Sequence, residues 1–406
     1  MPEKYNFDKI IDRTKSGTLK FEVLKTRYGS TDLLPLWVAD MDFETPGFII
    51  EALRQRLDHP IFGYTVVPLN YWEIVADWIQ SHHDWNVKTN WLTYIPGIVK
   101  GIGLAINRFT KPDEKVIIQP PVYHPFRLTP QGNGREVVFN PLRELPDGSY
   151  EMDFENLAQV ADKKCKILIL SNPHNPGGIV WDEQTLERLA DFCFEHHILV
   201  ISDEIHCDMV FPPAKHIPFP TVSQRATDCS ITFQAPSKTF NIAGIVSSYA
   251  IVPNDSIRRH FYTWLQANEL NEPPIFSPIA TIAAFTKGEE WRKQMLQYVE
   301  ENIYFVQNYC KEHIPAIKPL RPQASFLVWL NCKDLHLNHE QLNDLFINKA
   351  HLALNDGEMF GPGGQGFMRL NVATPRSTLE KALKQLEYAV KAEEQIKNPQ
   401  ELYLTK

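Results

Sequence analysis

The chain has 406 residues, of which 43% are hydrophobic and 22% charged, and its formal net charge is −8. That length exceeds what a single growing core accommodates and implies two domains, in a chain of ordinary globular composition. The negative balance argues against a partner held through nucleic-acid phosphates, and no apolar run reaches membrane-spanning length. The polar stretch Met1–Asp8 lacks the apolar core of a signal peptide. Six cysteines are scattered without a Cys-x-x-Cys pair. They read as buried thiols of a protein kept in the reducing cytoplasm.

In chain order, residues 1–35 are polar and irregular, with Phe7, Ile10 and Ile11 as anchors. Pro35–Phe43 is apolar with two aspartates, Asp40 and Asp42, and reads as a buried strand and turn. Thr45 then caps a helix with Pro46 at its first position, and Ile49, Ile50, Leu53 and Leu57 give that helix one apolar stripe. Phe62-Gly63-Tyr64 falls in a loop, and Asn70 caps a helix that turns Ile74, Val75, Trp78 and Ile79 inward. Trp91–Ile95 reads as a strand, after which Pro96-Gly97-Ile98-Val99 opens a helix. Strand, glycine turn and helix start together make an anion site, because the first N–H groups and the positive dipole end face outward. The glycine spacing is not the dinucleotide fingerprint. Lys115–Gln119 is the next strand and runs into Pro120-Pro121-Val122-Tyr123. Glu136–Met152 reads as a polar excursion with a surface hairpin.

Three later apolar runs end in chemically capable residues. Lys166–Leu170 leads to Ser171-Asn172-Pro173-His174-Asn175-Pro176-Gly177-Gly178. Leu199–Ser202 leads to Asp203-Glu204-Ile205-His206, and Ile231–Phe233 leads past Pro236 to Ser237-Lys238. A helix over Glu183–His196, capped by Asp182, separates the first two. This alternation implies a largely parallel sheet covered on both faces. If the strands lie side by side, Asn175, Asp203, His206 and Lys238 converge on one sheet edge, where α/β proteins bind ligands. A Ser-Lys pair alone would say little, since most lysines are solvated. Beyond Phe285 long amphipathic helices dominate, one marked by Trp291, Met295, Tyr298, Val299 and Val306. Ser325–Leu330 is a strand, the glycine-rich Gly357–Arg369 delivers Arg369 at a strand start, and Ser377 with Glu380 forms a capping box for the last helix. His82-His83, His196-His197 and His336-x-x-His339 lack a third ligand at metal-site spacing, so no metal is expected. No Gly-x-Ser-x-Gly elbow occurs.

The series Asn172-Pro-His-Asn-Pro176, Ser202-Asp-Glu-Ile-His206 and Ser237-Lys238 resembles the fold-type I pyridoxal-phosphate enzymes of the class I/II aminotransferase superfamily. Leu36–Phe43, Phe62–Tyr64 and Ile201–Met209 are similar to its C–S β-lyase branch, the cystathionine β-lyase-like proteins. The resemblance runs from about Leu36 to Arg376. It implies an α/β fold: an α/β/α large domain with a mostly parallel sheet over residues 46–285. A smaller α+β domain of residues 286–406 would have residues 1–45 packed on it. It also implies a homodimer with active sites at the interface, a small amino-acid substrate, and neither nucleic acid nor membrane as partner.

By the same resemblance pyridoxal phosphate is the cofactor. Lys238 would hold it covalently and act as base at the substrate Cα. Asp203 would sit at the ring nitrogen and Tyr123 against the ring face, with Asn175 and His206 near the ring hydroxyl oxygen. Ser237, Gly97, the amides of Ile98 and Val99, and Tyr64 from the neighbouring subunit would hold the phosphate. Arg369 would take the substrate α-carboxylate in a planar fork, with Asn175 and Ala39 as further substrate contacts. Three positions depart from the family pattern. Ala235 stands where the first serine of Ser-x-Ser-Lys is usual, Gly177 stands where Asn-Pro-Thr-Gly has threonine, and Thr239–Val246 carries no arginine. The implied reaction eliminates a thiol from cystathionine, cystine or another S-substituted cysteine, leaving pyruvate and ammonia. The alternatives are an aminotransferase and, from another class, a regulatory or binding protein on the same scaffold.

Overall fold

The structure, a computed structural model, describes residues 4–397. It divides into two compact units, one built on Glu44–Leu296 and the other on Asn6–Phe43, Gln297–Pro322 and the chain from Phe326 onward.

The first unit is organised by a seven-stranded sheet. Its strands are β1 (Leu92–Ile95), β2 (Lys115–Ile118), β3 (Glu136–Phe139), β4 (Cys165–Ser171), β5 (Leu199–Asp203), β6 (Ser230–Gln234) and β7 (Ser248–Ile251). Runs such as Val116-Ile117-Ile118 and Ile167-Leu168-Ile169-Leu170 are apolar at consecutive positions and buried throughout. That is the signature of strands covered on both faces. The order is β1-β7-β6-β5-β4-β2-β3. The five strands from β6 to β3 are mutually parallel, while β7 is antiparallel to both β6 and β1. Two reversals restore the direction, so β1 points the same way as the five and only β7 opposes them. Helix Ile98–Phe109 lies against this sheet, with Ile102, Ala105 and Ile106 in one core with Ile118, Ile169, Ile201 and Ile231. Gly101 permits the approach: a Cβ there would stand 2.5 Å from Ile95 Cδ1.

Local chemistry departs from the sequence reading at several places. Residues 136–139 are not part of an excursion but the edge strand β3, and the hairpin is only Arg143–Glu144 with Tyr150–Glu151. The crossover helix that feeds β3, Pro125–Gly132, carries Pro125 in its first turn and Pro130 inside, a composition that reads as loop. Pro46, not Thr45, is the N-cap of helix Gly47–Leu57, and Thr45 Oγ1 instead donates to the Asn241 carbonyl at 3.2 Å. Asn70 occupies the N-cap of helix Tyr71–His83 without a side-chain bond. Asp182 does cap its helix, accepting from Thr185 N–H at 2.7 Å.

The second unit holds an antiparallel four-stranded sheet in the order Lys318–Pro319, Leu327–Asn331, Phe367–Asn371, Asn355–Asp356. Its last helix begins at Arg376, so Ser377 lies inside the first turn and Thr378 N–H donates to the Pro375 carbonyl. No capping box forms where one was expected. Phe7 is buried against Phe43 and Tyr298 at centroid distances of 5.0 and 5.5 Å, whereas Ile10 is 72% exposed and anchors nothing. Two short helices, Leu19–Glu22 and Leu24–Tyr28, occupy part of the stretch read as irregular. Among the described residues no helix is long and apolar enough to cross a membrane. All six cysteines are free and buried.

Candidate active site

Because six strands share one direction, the segments leaving β1, β2, β4, β5 and β6 emerge on the same sheet edge. These segments carry Gly97, Tyr123, Asn175, Asp203 and Lys238 respectively. The register brings Ser171 opposite Asp203 and Asp203 opposite Phe233. Main-chain bonds then tie the loops to one another. Asn172 N–H donates to the Asp203 carbonyl at 2.9 Å, Glu204 N–H to the Phe233 carbonyl at 2.9 Å, and Tyr123 N–H to the Asn175 carbonyl at 3.1 Å. Asn175 N–H is held in turn by Ser171 Oγ at 3.1 Å. Asn175, His206 and Ser237 are buried and Lys238 and Tyr123 are half-buried. Phe240 N–H to Pro236 and Ile242 N–H to Ser237 fold the lysine loop into a tight turn.

The electrostatics are uneven. Asp203 is 7% exposed. Burial pushes its carboxyl up to about 7, against the pull of the Ile205 N–H, which its Oδ1 accepts at 3.1 Å, and of the Lys238 charge. A buried carboxyl held near neutrality at a ligand edge is suited to a cationic ring nitrogen, which would draw it into the ionised form. At the neighbouring strand end, Gly97 has a φ of +111° as the N-cap of helix Ile98–Phe109. A side chain is disfavoured in that conformation. A helix starting at Ile98 presents its first N–H groups, those of Ile98 and Val99, without intrahelical acceptors, which suits a phosphate. The residues on this edge therefore fit pyridoxal phosphate in both its charged ends.

Ser237 lies buried on the same loop, but Tyr64 is fully exposed in a segment without regular structure between residues 58 and 68. Ala39 and Arg369 belong to the second unit. Arg369 is in the middle of strand Phe367–Asn371 rather than at its start, and is 4% exposed. Its Nη2 donates to the Trp37 carbonyl at 3.1 Å and to Asn355 Oδ1 at 2.9 Å, and its guanidinium lies 5.0 Å from the Phe360 ring centroid. All of these partners are neutral. Ala39 is half-buried, in a segment fixed through its neighbours: Asn371 Nδ2 donates to the Val38 and Asp40 carbonyls, both at 2.6 Å. Asp40 and Asp42 are used structurally, pairing with Arg13 at 2.6 and 2.8 Å, and Asp42 also with the buried Lys20 at 2.7 Å.

The sequence reading missed the residues that orient these groups. Trp37 and Asn355 aim Arg369, and nothing in the local pattern marks them. Ser171 and Glu204 were adjacent to named residues, and that adjacency was the available signal. Asp208 Oδ2 accepts from Thr239 Oγ1 at 3.3 Å, next to Lys238, and comes from a turn 31 residues earlier.

A family model described as aminotransferase class I and II matches residues 31–386. Cystathionine beta-lyase PatB of Bacillus subtilis (strain 168) is 40% identical over 95% of this chain and 100% of that protein. Among solved structures, cystalysin from Treponema denticola, which contains a pyridoxal 5'-phosphate cofactor, aligns with a TM-score of 0.92 and 32% identity over 96% of this chain and 100% of that one. The PLP-bound C-S lyase from Staphylococcus hominis aligns with a TM-score of 0.87 and 33% identity, covering 96% and 98%.

Proposed function

The chain belongs to the aminotransferase class I and II family, and from that membership we propose that it is a pyridoxal-phosphate-dependent carbon–sulfur β-lyase. It takes cystathionine, cystine or a related S-substituted cysteine, consumes one water, and releases a thiol, pyruvate and ammonia. The observation that carries this reading is the shared sheet edge of Asn175, Asp203 and Lys238, in a chain alike from end to end to a cystathionine β-lyase. Aminotransfer would use the same edge and is not favoured by the relatives named cystathionine beta-lyase.

When bound, pyridoxal phosphate supplies the electron sink that stabilises negative charge at the substrate Cα. Lys238 would hold the cofactor at rest, and its Nζ would take the Cα proton. Asp203 accepts the ring N–H, and Tyr123 covers one ring face. Asn175 and His206 bond near the ring hydroxyl oxygen. Ser237, the glycine turn at Gly97 and the amides of Ile98 and Val99 hold the phosphate. Arg369 grips the substrate α-carboxylate, Ala39 leaves room beside it, and Asn175 touches the same substrate.

The protein works as a cytoplasmic homodimer in which Tyr64 reaches the partner's phosphate. Exposed Ile61, Phe62, Val66 and Leu69 around Tyr64 support an interface there, and six free thiols support a reducing compartment. The test is to add L-cystathionine to the purified holoprotein with no keto acid present. Catalytic release of pyruvate and thiol is expected. Stoichiometric conversion of the cofactor to its amine form, rescued by a keto acid, would replace the lyase with an aminotransferase.

A further inference from the structure

The turn that bears Lys238 is held from behind as well as by its own main-chain bonds. Thr239 is fully buried, and its Oγ1 donates to Asp208 Oδ2 at 3.3 Å. Asp208 stands in the short turn that follows β5. Its other carboxylate oxygen, Oδ1, is fixed on helix Tyr71–His83, accepting from Trp78 Nε1 at 3.1 Å and meeting His83 Nε2 at 2.9 Å. Its main chain is held too. The Asp208 carbonyl accepts from Arg292 Nη1 at 2.9 Å, and Arg292 is gripped by both oxygens of Glu289 at 2.9 and 3.0 Å. Burial opposes the Asp208 charge, but the His83 bond and the Arg292 charge hold the carboxyl down to about 2.

The next residue, Phe240, is held by apolar contacts. Its ring meets Trp78 edge-on at 5.8 Å and lies 5.9 Å from Trp291. Gly288 keeps that space open, since a Cβ there would stand 2.3 Å from Phe240 Cε1. Trp78 therefore reaches the lysine turn twice, by its ring at Phe240 and by its indole N–H through Asp208 at Thr239. A threonine is stiff at χ1, so fixing its hydroxyl also fixes the backbone from which the Lys238 side chain departs.

We propose that Asp208 and Thr239 are positioning residues for Lys238: the buried carboxylate, acting through the Thr239 hydroxyl, sets where Lys238 Nζ stands. The inference rests on the role given to Lys238 under the proposed function. One carboxylate joins three elements here, namely helix Tyr71–His83, the turn after β5 and the turn after β6. Bonds to an ionised acceptor are stronger than neutral ones, and a low-dielectric interior strengthens them further. The turn after β5 also begins at Asp203. Tying it to the lysine turn fixes the spacing between the partner of the ring nitrogen and the carrier of the Cα proton. Such transfer needs the reacting atoms about 3–3.5 Å apart, and a misplacement of about 1 Å can cost about 10²-fold in rate.

The test compares Thr239→Val, Thr239→Ala and Thr239→Ser in the cofactor-loaded enzyme acting on L-cystathionine. Valine keeps the shape and removes the donor, alanine removes the donor without added bulk, and serine restores it. In the valine and alanine variants kcat should fall by about 10- to 100-fold, and it should return close to the wild-type value in Thr239→Ser. KM should hold, because the substrate contacts assigned to Arg369, Asn175 and Ala39 are untouched. A second readout needs no turnover. Each protein, stripped of cofactor, is mixed with pyridoxal phosphate. The bond to Lys238, which forms with loss of one water, is trapped by borohydride and counted by mass spectrometry. Capture should slow in the valine and alanine variants and recover in Thr239→Ser. Wild-type kcat and capture in Thr239→Val and Thr239→Ala, whatever their stability in urea, would make the bond structural only and overturn the proposal. An equal loss in all three variants would overturn it too. If the wild type captures the cofactor but releases no pyruvate, the lyase reading falls and the capture rates alone decide this inference. If the valine variant misfolds, the alanine and serine pair decides it.

Discussion

Asp203 and Glu204 are neighbours in the chain, both are buried, and they titrate in opposite directions. Asp203 accepts one N–H, from Ile205, and burial lifts it to about 7. For Glu204 burial also works against the charge, but His216 and the other donors outweigh it and hold the carboxyl below its ordinary value. Those donors are Ser202 Oγ and Phe219 N–H at 2.9 Å, His216 Nε2 at 3.0 Å and Gln234 Nε2 at 3.1 Å. The same strand end thus makes one carboxylate whose charge the protein satisfies itself. It makes another whose charge awaits a ligand. A buried carboxyl with few donors marks a binding edge, and one with many marks a joint of the scaffold.

The contrast can be broken from either side. Lys238→Ala removes the positive charge that draws Asp203 down and the proposed proton carrier together. Pyruvate release should fall by at least about 10²–10⁴-fold from proton transfer alone, and more with the covalent role. Wild-type turnover in this variant would remove Lys238 from the mechanism. Glu204→Ala leaves the His216 and Phe219 donors facing an empty acceptor, and should cost about 3–5 kcal/mol in urea unfolding. A smaller loss would mean that water replaces the carboxylate.

Asp203→Asn reads out as a pH effect in the cofactor-free protein. The folded-state pKa of Asp203 is raised above its unfolded value. Its stabilising effect is therefore complete below about pH 4 and is lost as pH rises toward 7. Stability in that window should fall by on the order of a few kcal/mol in the wild type, and the fall should flatten in Asp203→Asn. Bound cofactor should also flatten it. An identical slope in the variant would assign the effect to other groups. The smallest effect belongs to Ser202→Ala, which deletes one of the four Glu204 donors. About 1 kcal/mol is expected, with turnover unchanged.

Much of the site was legible because strands announce their own ends. β-branched and apolar runs stop before Asn172, at Asp203 and before Pro236, and one shared direction then gathers the loops without further information. The crossover helix Pro125–Gly132 was not legible, since its two prolines spell a loop while tertiary packing makes a helix. The four-residue edge strand β3 disappeared with it. Caps were misread at Thr45 and Ser377 for a different reason: Thr45 spends its hydroxyl on the distant Asn241 carbonyl, and Ser377 falls inside a helix already begun at Arg376. The His83–Asp208 bond was invisible because its partners are far apart in sequence and neither residue is unusual where it stands. Arg369 was found, but of the neutral oxygens that aim it one lies on the strand Asn355–Asp356 and the other in the irregular segment at Trp37.

The strand that leads into the Lys238 turn, β6, is paired along both edges, by β5 and β7, and buried at all five positions. Its amides should therefore exchange with deuterium only when the whole unit opens, while in the undimerised chain residues 58–68, mostly exposed and without regular structure, exchange through local openings. A protease that nicks the chain there would cut long before it reached β6. The turn that holds Lys238 is thereby anchored to the slowest-opening part of its unit.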